Sequence, residues 1–236
     1  MIITGASSGI GRDLARRFVA AGSRVIINGR DPAKLERVRV ELGAPDRVVA
    51  VAGHVGDRET ADQLAQAARR HFDGVDVLVN NAGIFAIKPF LESSEANLDA
   101  FYGTNLKGTF LVSRAVVPLM IEGGGGSIIN IGTVLVEQPH AAIAASAAMA
   151  SKGGVHALTR SLAVELAQHR IRVNAVAPGI IRTPLIGEAA DSFAGLHPLR
   201  RIGEVEEISD AVLYLARAGF VTGTVLDVDG GYAHGR

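Results

Sequence analysis

A chain of 236 residues, nearly half of them apolar, is long enough for one large domain or two small ones around a substantial core. Its 24 basic and 24 acidic side chains cancel, which argues against a polyanion or a membrane surface as partner, and its seven histidines show no clustered metal-ligand spacing. There is no cysteine, no charged-then-apolar leader and no apolar run near the ~18–20 residues of a membrane span, so a reducing cytoplasm is the expected home.

The chain opens on Ile2 and Ile3 and runs at once into Thr4-Gly5-Ala6-Ser7-Ser8-Gly9-Ile10-Gly11. A helical pattern follows, with Leu14, Ala15, Phe18 and Val19 on one face. Glycines between a strand and a helix allow a tight turn and close approach to a ligand, and the helix start offers free N–H groups to a phosphate. The spacing is Gly-x-x-x-Gly-x-Gly, and Arg12-Asp13 stands where a nucleotide-hydrolase loop ends in Lys-Ser/Thr. Only Met1, Ile2 and Ile3 precede Thr4, against an ordinary strand of about five or six residues, so the start reads as truncated or unusually late.

Strands and helices then alternate. Gly22 caps the first helix, Val25-Ile26-Ile27 is a second apolar strand, and Asp31-Pro32 opens a helix with buried Leu35, Val38 and Leu42. A third strand spans 48–51, and a helix after Asp57 carries Leu64, Ala68 and Phe72. A fourth strand at 75–79 ends in Asn80-Asn81-Ala82-Gly83. One long helical region is predicted over 95–120, then a fifth strand at 127–131, a helix over 146–168, a sixth strand at 171–176, a helix over 205–216 and a last strand at 224–228. No linker or short repeat interrupts the pattern. The expectation is one doubly wound α/β Rossmann domain over 1–236, about seven parallel strands with helices on both faces, and a ligand at the strand C-terminal edge.

Five stretches in order and spacing carry a resemblance: Thr4–Gly11, Asn80-Asn81-Ala82-Gly83, Asn105 within 102–106, Pro178-Gly179-Ile180-Ile181-Arg182-Thr183-Pro184, and the pair 220–223 and 227–231. Over essentially its whole length the chain resembles the classical short-chain dehydrogenase/reductase family. The resemblance implies a nicotinamide dinucleotide held by Gly5, Ser7, Ser8, Gly9, Ile10 and Gly11, by His54 and Val55 beside the adenine, and by Asn81, Ala82 and Gly83. Lys152 on the ribose and Pro178, Gly179, Ile181 and Thr183 on the nicotinamide side complete that set.

Rossmann sites select NAD with a carboxylate at the end of the second strand, and NADP by replacing it and adding a cation. Here that strand ends Asn28-Gly29-Arg30, so Arg30 favours NADP over NAD. Asp31 reads as a helix cap, Arg12 as a second candidate for the phosphate.

The resemblance also implies a tyrosine acid four residues before a lysine on one helix face, a serine or threonine on the substrate oxygen, and a helix asparagine. Lys152, Thr133 and Asn105 match three of these roles, but Ala148 stands four residues before Lys152, in Ser146-Ala147-Ala148-Met149-Ala150-Ser151-Lys152. The segment from Thr133 to Ala148 is about two residues longer than usual in the family. Tyr102, Tyr214 and Tyr232 fall in other elements, Tyr214 packed in a helix. Three explanations stay open: an active variant taking its proton from water, Ser146, His140 or the substrate; a cofactor-binding sensor or subunit without redox turnover; or an engineered knockout. An acid/base isomerase or lyase is a further class. The expected function is NADP(H)-linked interconversion of a carbonyl and an alcohol, with Ala148→Tyr raising activity.

The substrate is expected between 135–145 and 185–199, where Val134, Leu135, Val136, Ile143, Leu185, Ile186 and Phe193 suit a neutral or moderately apolar molecule, with 183–198 as a lid and His140 and His197 near the pocket. The resemblance implies a homo-oligomer, commonly a tetramer. No metal and no nucleic acid are expected.

Overall fold

The structure, a computed structural model, describes residues 1–235, side chains at 188–190 excepted. Seven parallel strands form one sheet in the order β3-β2-β1-β4-β5-β6-β7. They are β1 (Ile2–Ile3), β2 (Val25–Gly29), β3 (Val48–Ala52), β4 (Val77–Asn80), β5 (Gly126–Ile131), β6 (Ile171–Pro178) and β7 (Val225–Val228). The helices are α1 (Gly9–Ala20), α2 (Pro32–Glu41), α3 (Arg58–Phe72), α4 (Glu95–Phe101), α5 (Gly108–Glu122), α6 (Ser146–Glu165) and α7 (Val205–Arg217). This is a single Rossmann-like α/β domain with helices on both sheet faces.

The continuous apolar strands are explained by burial on both sides. In register, Ile2, Ile26, Leu78 and Ile128 point to one face and Ile3, Ile27, Val79 and Ile129 to the other, because side chains alternate along a strand. The first row packs with Leu64, Phe72, Val116 and Met120 from α3 and α5. The second packs with Leu14, Phe18, Val212 and Leu215 from α1 and α7. Although β1 has two residues, it is paired on both sides, with Ile2 opposite Ile26 and Leu78.

The helix predicted over 95–120 is divided. Between α4 and α5 lies a π-helical stretch, Tyr102–Lys107, whose wider turn is common at functional sites. Asn105 sits in it, buried, and donates Nδ2 to Ile84 O (3.1 Å) and to Ser151 Oγ (2.9 Å). These long-range bonds, absent from any helical periodicity, accompany the interruption.

A buried polar chain fixes α6 to the sheet. Asn80 Nδ2 donates to Ser113 Oγ and to Asn130 Oδ1, both at 2.9 Å, and Asn130 Nδ2 donates to Thr159 Oγ1 at 2.9 Å. Asn80, Asn130 and Thr159 are all buried, so each amide and hydroxyl needs the next. The chain joins β4 and β5 to α5 and α6.

Candidate functional site

The strand C-terminal ends and their loops enclose a cleft of about 740 Å³. Its nucleotide end is built from backbone. Gly5 has φ +64°, and a Cβ there would lie 2.7 Å from Ala82 Cα, so only glycine fits. Thr4 Oγ1 accepts from the N–H groups of Asn81 and Ala82 at 3.0 Å, and Asn81 Nδ2 donates to the carbonyls of Thr4 and Gly5. The two loops are thereby stitched together. Ser8 precedes α1 without capping it through its side chain, and Ser8, Gly9 and Ile10 line the cleft, so a helix start with uncapped N–H groups lies at this end.

Gly5, Ser7, Ser8, Gly9, Ile10, Arg30, His54, Val55, Asn81, Ala82, Gly83, Lys152, Pro178, Gly179, Ile181 and Thr183 all line this cleft, as does Thr133. Gly11 does not. It is buried, and a Cβ on it would collide with Gly5 O and Asn81 Nδ2, so its absent side chain lets α1 close on the loop. Asn105 also lies behind the wall: its Oδ1 accepts from Ile84 N–H at 2.9 Å, and its Nδ2 bonds are described above. It holds α6 and the loop after β4 rather than facing the cavity.

Other expectations are refined by position. Asp31 caps α2, accepting from Ala33 and Lys34 N–H at 2.9 and 3.0 Å. Arg12 pairs with Glu41 on α2, and is absent from the cleft wall. His54 Nδ1 accepts from Gly56 N–H (3.1 Å), which leaves Nε2–H to donate to Thr104 Oγ1 at 3.1 Å. His140 and Ser146 are exposed and off the wall. His197 is buried but occupied: Nε2 accepts from Ile180 N–H at 3.2 Å, and Nδ1 faces Phe193 O at 3.3 Å. It pins the loop after β6 to the short helix Glu188–Leu196. Tyr214, expected to pack, is 57 % exposed on α7 because it points away from the sheet.

At the substrate end the wall is Leu135, Ile143, Met149, Leu185, Ile186 and Phe193, with 84–87 opposite. Val134 and Val136 are not part of it. The 84–87 stretch was not foreseen, because nothing in its sequence distinguishes a wall from an ordinary loop. Ala148 lies one turn before Lys152 on α6, 1 % exposed, packed in a cluster with Val134, Leu135, Ile143 and Tyr232. Among the described residues no tyrosine lines the cleft and no carboxylate does.

Lys152 Nζ donates to Ile131 O at 2.6 Å. Burial lowers its pKa to about 8. One turn further on, buried His156 faces the N–H of Thr133 with Nε2 (3.5 Å), while Nδ1 lies 3.5 Å from Glu137 Oε1. Burial, the largest influence, pushes the His156 pKa down, which favours the neutral ring.

A glycine-cradled anion seat, a cation at the end of β2 and a buried lysine beside an apolar recess on a Rossmann sheet define a dinucleotide-dependent oxidoreductase. The sequence model of the family described as Enoyl-(Acyl carrier protein) reductase matches residues 5–233. The chain is 41 % identical to galactitol 2-dehydrogenase (L-tagatose-forming) of Cereibacter sphaeroides over 98 % of this chain and 93 % of that protein. It is 37 % identical to a 3-oxoacyl-[acyl-carrier-protein] reductase of Thermotoga maritima, covering 98 % of this chain and 96 % of that one. The crystal structure of 3-ketoacyl-(acyl-carrier-protein) reductase from Brucella melitensis complexed with NADH superposes with a TM-score of 0.93 at 34 % identity, over 98 % of this chain and 97 % of that one. The chain belongs to the short-chain dehydrogenase/reductase family of NAD(P)-dependent oxidoreductases.

Proposed function

We propose that this enzyme interconverts a carbonyl and an alcohol on a small, neutral or moderately apolar substrate, prefers NADP(H) to NAD(H), and uses a proton donor other than tyrosine. The observation that carries the cofactor preference is Arg30, on the cleft wall just past the end of β2, in a lining without a carboxylate among the described residues. A side chain at Gly29 would press on Ser7 Oγ, 3.2 Å from its Cβ position, so a ribose-binding acid there would require Ser7 to give way.

The residues present fit the cofactor. The glycine loop and α1 N-terminus would hold the pyrophosphate, Arg30 the 2′-phosphate, and Lys152 the nicotinamide ribose. When bound, the nicotinamide supplies or accepts hydride. Thr133, at the end of β5, would hold the substrate oxygen, and the apolar wall would exclude water and orient the rest of the substrate. The absence of any carboxylate from the wall among the described residues suits a neutral substrate.

Fluorescence titration with NADPH and NADH tests the preference, both being needed because a structural relative carries NADH. NADPH binds tighter, and Arg30→Ala weakens NADPH about tenfold, roughly the 1.4 kcal/mol of one good charge-assisted contact, with NADH unchanged. Equal loss for both cofactors would sink the assignment. A turnover screen of neutral ketones and secondary alcohols, run beside the titration, tests the chemistry.

We further place the protein in the cytoplasm as a homotetramer acting as one domain over 1–236. Among the described residues no helix is long and apolar enough to cross a membrane. Phe90, Leu91 and Phe110 near α4 and α5, and Phe220 and Val164 elsewhere, are exposed apolar side chains that a self-contact would cover. Light scattering gives the mass; a monomer at micromolar concentration rejects the assembly.

A further inference from the structure

We propose that Lys152 is itself the acid that gives a proton to the substrate oxygen, and the base that takes it back in the reverse direction. This rests on the carbonyl/alcohol reading above. A carbonyl that receives hydride at carbon leaves its oxygen negative and in need of one proton. The hydride comes from a reduced nicotinamide, which is thereby oxidised. The Lys152 N–H bond breaks, its electron pair stays on Nζ, and an O–H bond forms on the substrate. The neutral amine then regains a proton from solvent at the mouth of the cleft.

Among the described side chains on the wall, no other is acidic enough to serve at the substrate end. Arg30 and His54 belong to the nucleotide end, and both His54 nitrogens are occupied by Gly56 and Thr104. The hydroxyl of Thr133 is too weak an acid to act alone near neutrality. Tyr102, Tyr214 and Tyr232 do not line the cleft, nor do His140, Ser146 or His156. Among the described residues Lys152 is the one ionisable proton donor at the substrate end.

Its surroundings suit proton transfer. Among the described residues Nζ makes one hydrogen bond, to Ile131 O, two residues before Thr133, which leaves two N–H groups. A Cβ on Gly83 would sit 3.3 Å from Nζ, and glycine there keeps that side of the ammonium open. No carboxylate pairs with it among the described residues, so no ion pair holds the proton in place. The titratable group that interacts with it is His156, one turn along α6, which itself faces Glu137 and Arg160; across Gly83 stands the uncharged Asn105. Burial brings the ammonium to about 8, where it exchanges protons near neutral pH.

The test uses wild type, Lys152→Arg and Lys152→Ala with NADPH and a panel of apolar ketones. Arginine keeps the charge but cannot release a proton. Lys152→Arg is expected to bind NADPH within about threefold of wild type and to lose roughly 10²–10⁴ in turnover, the usual worth of a general acid. In Lys152→Ala, added primary amines restore turnover, and the rescue tracks amine pKa; this arm decides if the arginine variant binds cofactor poorly. Independently of turnover, reductive ¹³C-methylation followed by NMR gives the titration of each of the four lysines. The Lys152 signal is expected near pH 8, apart from Lys34, Lys88 and Lys107. Full turnover by Lys152→Arg, rescue indifferent to amine pKa, or a Lys152 signal titrating with the other three overturns the proposal. If wild type binds NADPH yet reduces no carbonyl, the redox reading fails and takes the proposal with it; if wild type and Lys152→Arg both turn over, only the proton assignment fails.

Discussion

The two ends of the cleft are built by different means. The nucleotide end is made of main chain: glycines without room for a Cβ, a helix start, and the Thr4–Asn81 stitch between two loops. The substrate end is made of side chains, mostly apolar, borne by the segment after β5, by the first turns of α6 and by the loop after β6. Backbone architecture tolerates little change in conformation, whereas a side-chain wall can be rewritten residue by residue while the fold stands. That difference explains how a chain retains the glycine loop beside an apolar recess that, among the described residues, holds one cation and no tyrosine.

The largest expected effect breaks the nucleotide end. Gly5→Val places a branched side chain at φ +64° against the Ala82 backbone. Loss of nicotinamide binding by more than about 100-fold, with a destabilisation of ~2 kcal/mol or more, is expected from such a clash; calorimetry and fluorescence titration read both.

Next in size is the support of α6. Asn130→Ala removes the acceptor of one Asn80 amide N–H, which keeps its bond to Ser113, and the donor to Thr159 Oγ1, which keeps its bond to Val155 O; leaving a buried polar group unpaired costs about 1–3 kcal/mol. Urea unfolding should show this loss. Turnover should fall more than NADPH affinity, because the chain anchors the helix carrying Lys152.

Ala148→Tyr probes the substrate end directly. From the sequence alone this change is expected to raise activity. The structure alters that expectation: Ala148 is 1 % exposed in an apolar cluster and does not line the cleft, so a ring has no space to enter. Overpacking of this kind costs typically ~1–3 kcal/mol, and a lower melting temperature without a gain in ketone reduction is the expected outcome. A rise in activity would show that the segment after β5 yields to the ring.

A smaller effect depends on pH. The Lys152 pKa is lowered in the folded protein, so above about pH 8 the folded state sheds a proton that the unfolded chain still holds. Stability therefore rises with pH through that window. Cofactor-free Lys152→Met should be more stable than wild type at pH 7, and the difference should shrink as pH rises toward 10. Melting temperatures across that range give the answer, and a gap independent of pH contradicts a buried charged lysine. Smallest of all is Arg12→Ala. Arg12 is spent on Glu41, both about half-exposed, so NADPH affinity should stay within about twofold.

Much of the molecule was legible in the chain. The apolar strands, the Asp31 cap and the glycine loop follow from local rules: burial on both faces, a side chain reaching its own helix start, and a backbone that needs freedom at Gly5. The interrupted helix at 102–107 was not legible, since Asn105 meets Ile84 and Ser151 only after the chain has folded. Nor was the 84–87 wall, or the pairing that takes Arg12 out of the cleft.

The sequence by itself determined the sheet, the glycine loop at its C-terminal edge and the absence of a tyrosine one turn before Lys152, because strand burial, glycine spacing and helical periodicity are local properties. Tertiary structure decided the rest. Among the described residues it sealed Ala148 into a cluster, occupied His54 and His197, kept the carboxylates off the wall and left Lys152 with one acceptor. Each of those outcomes depends on which distant side chain arrives at 3 Å, and no local pattern encodes that.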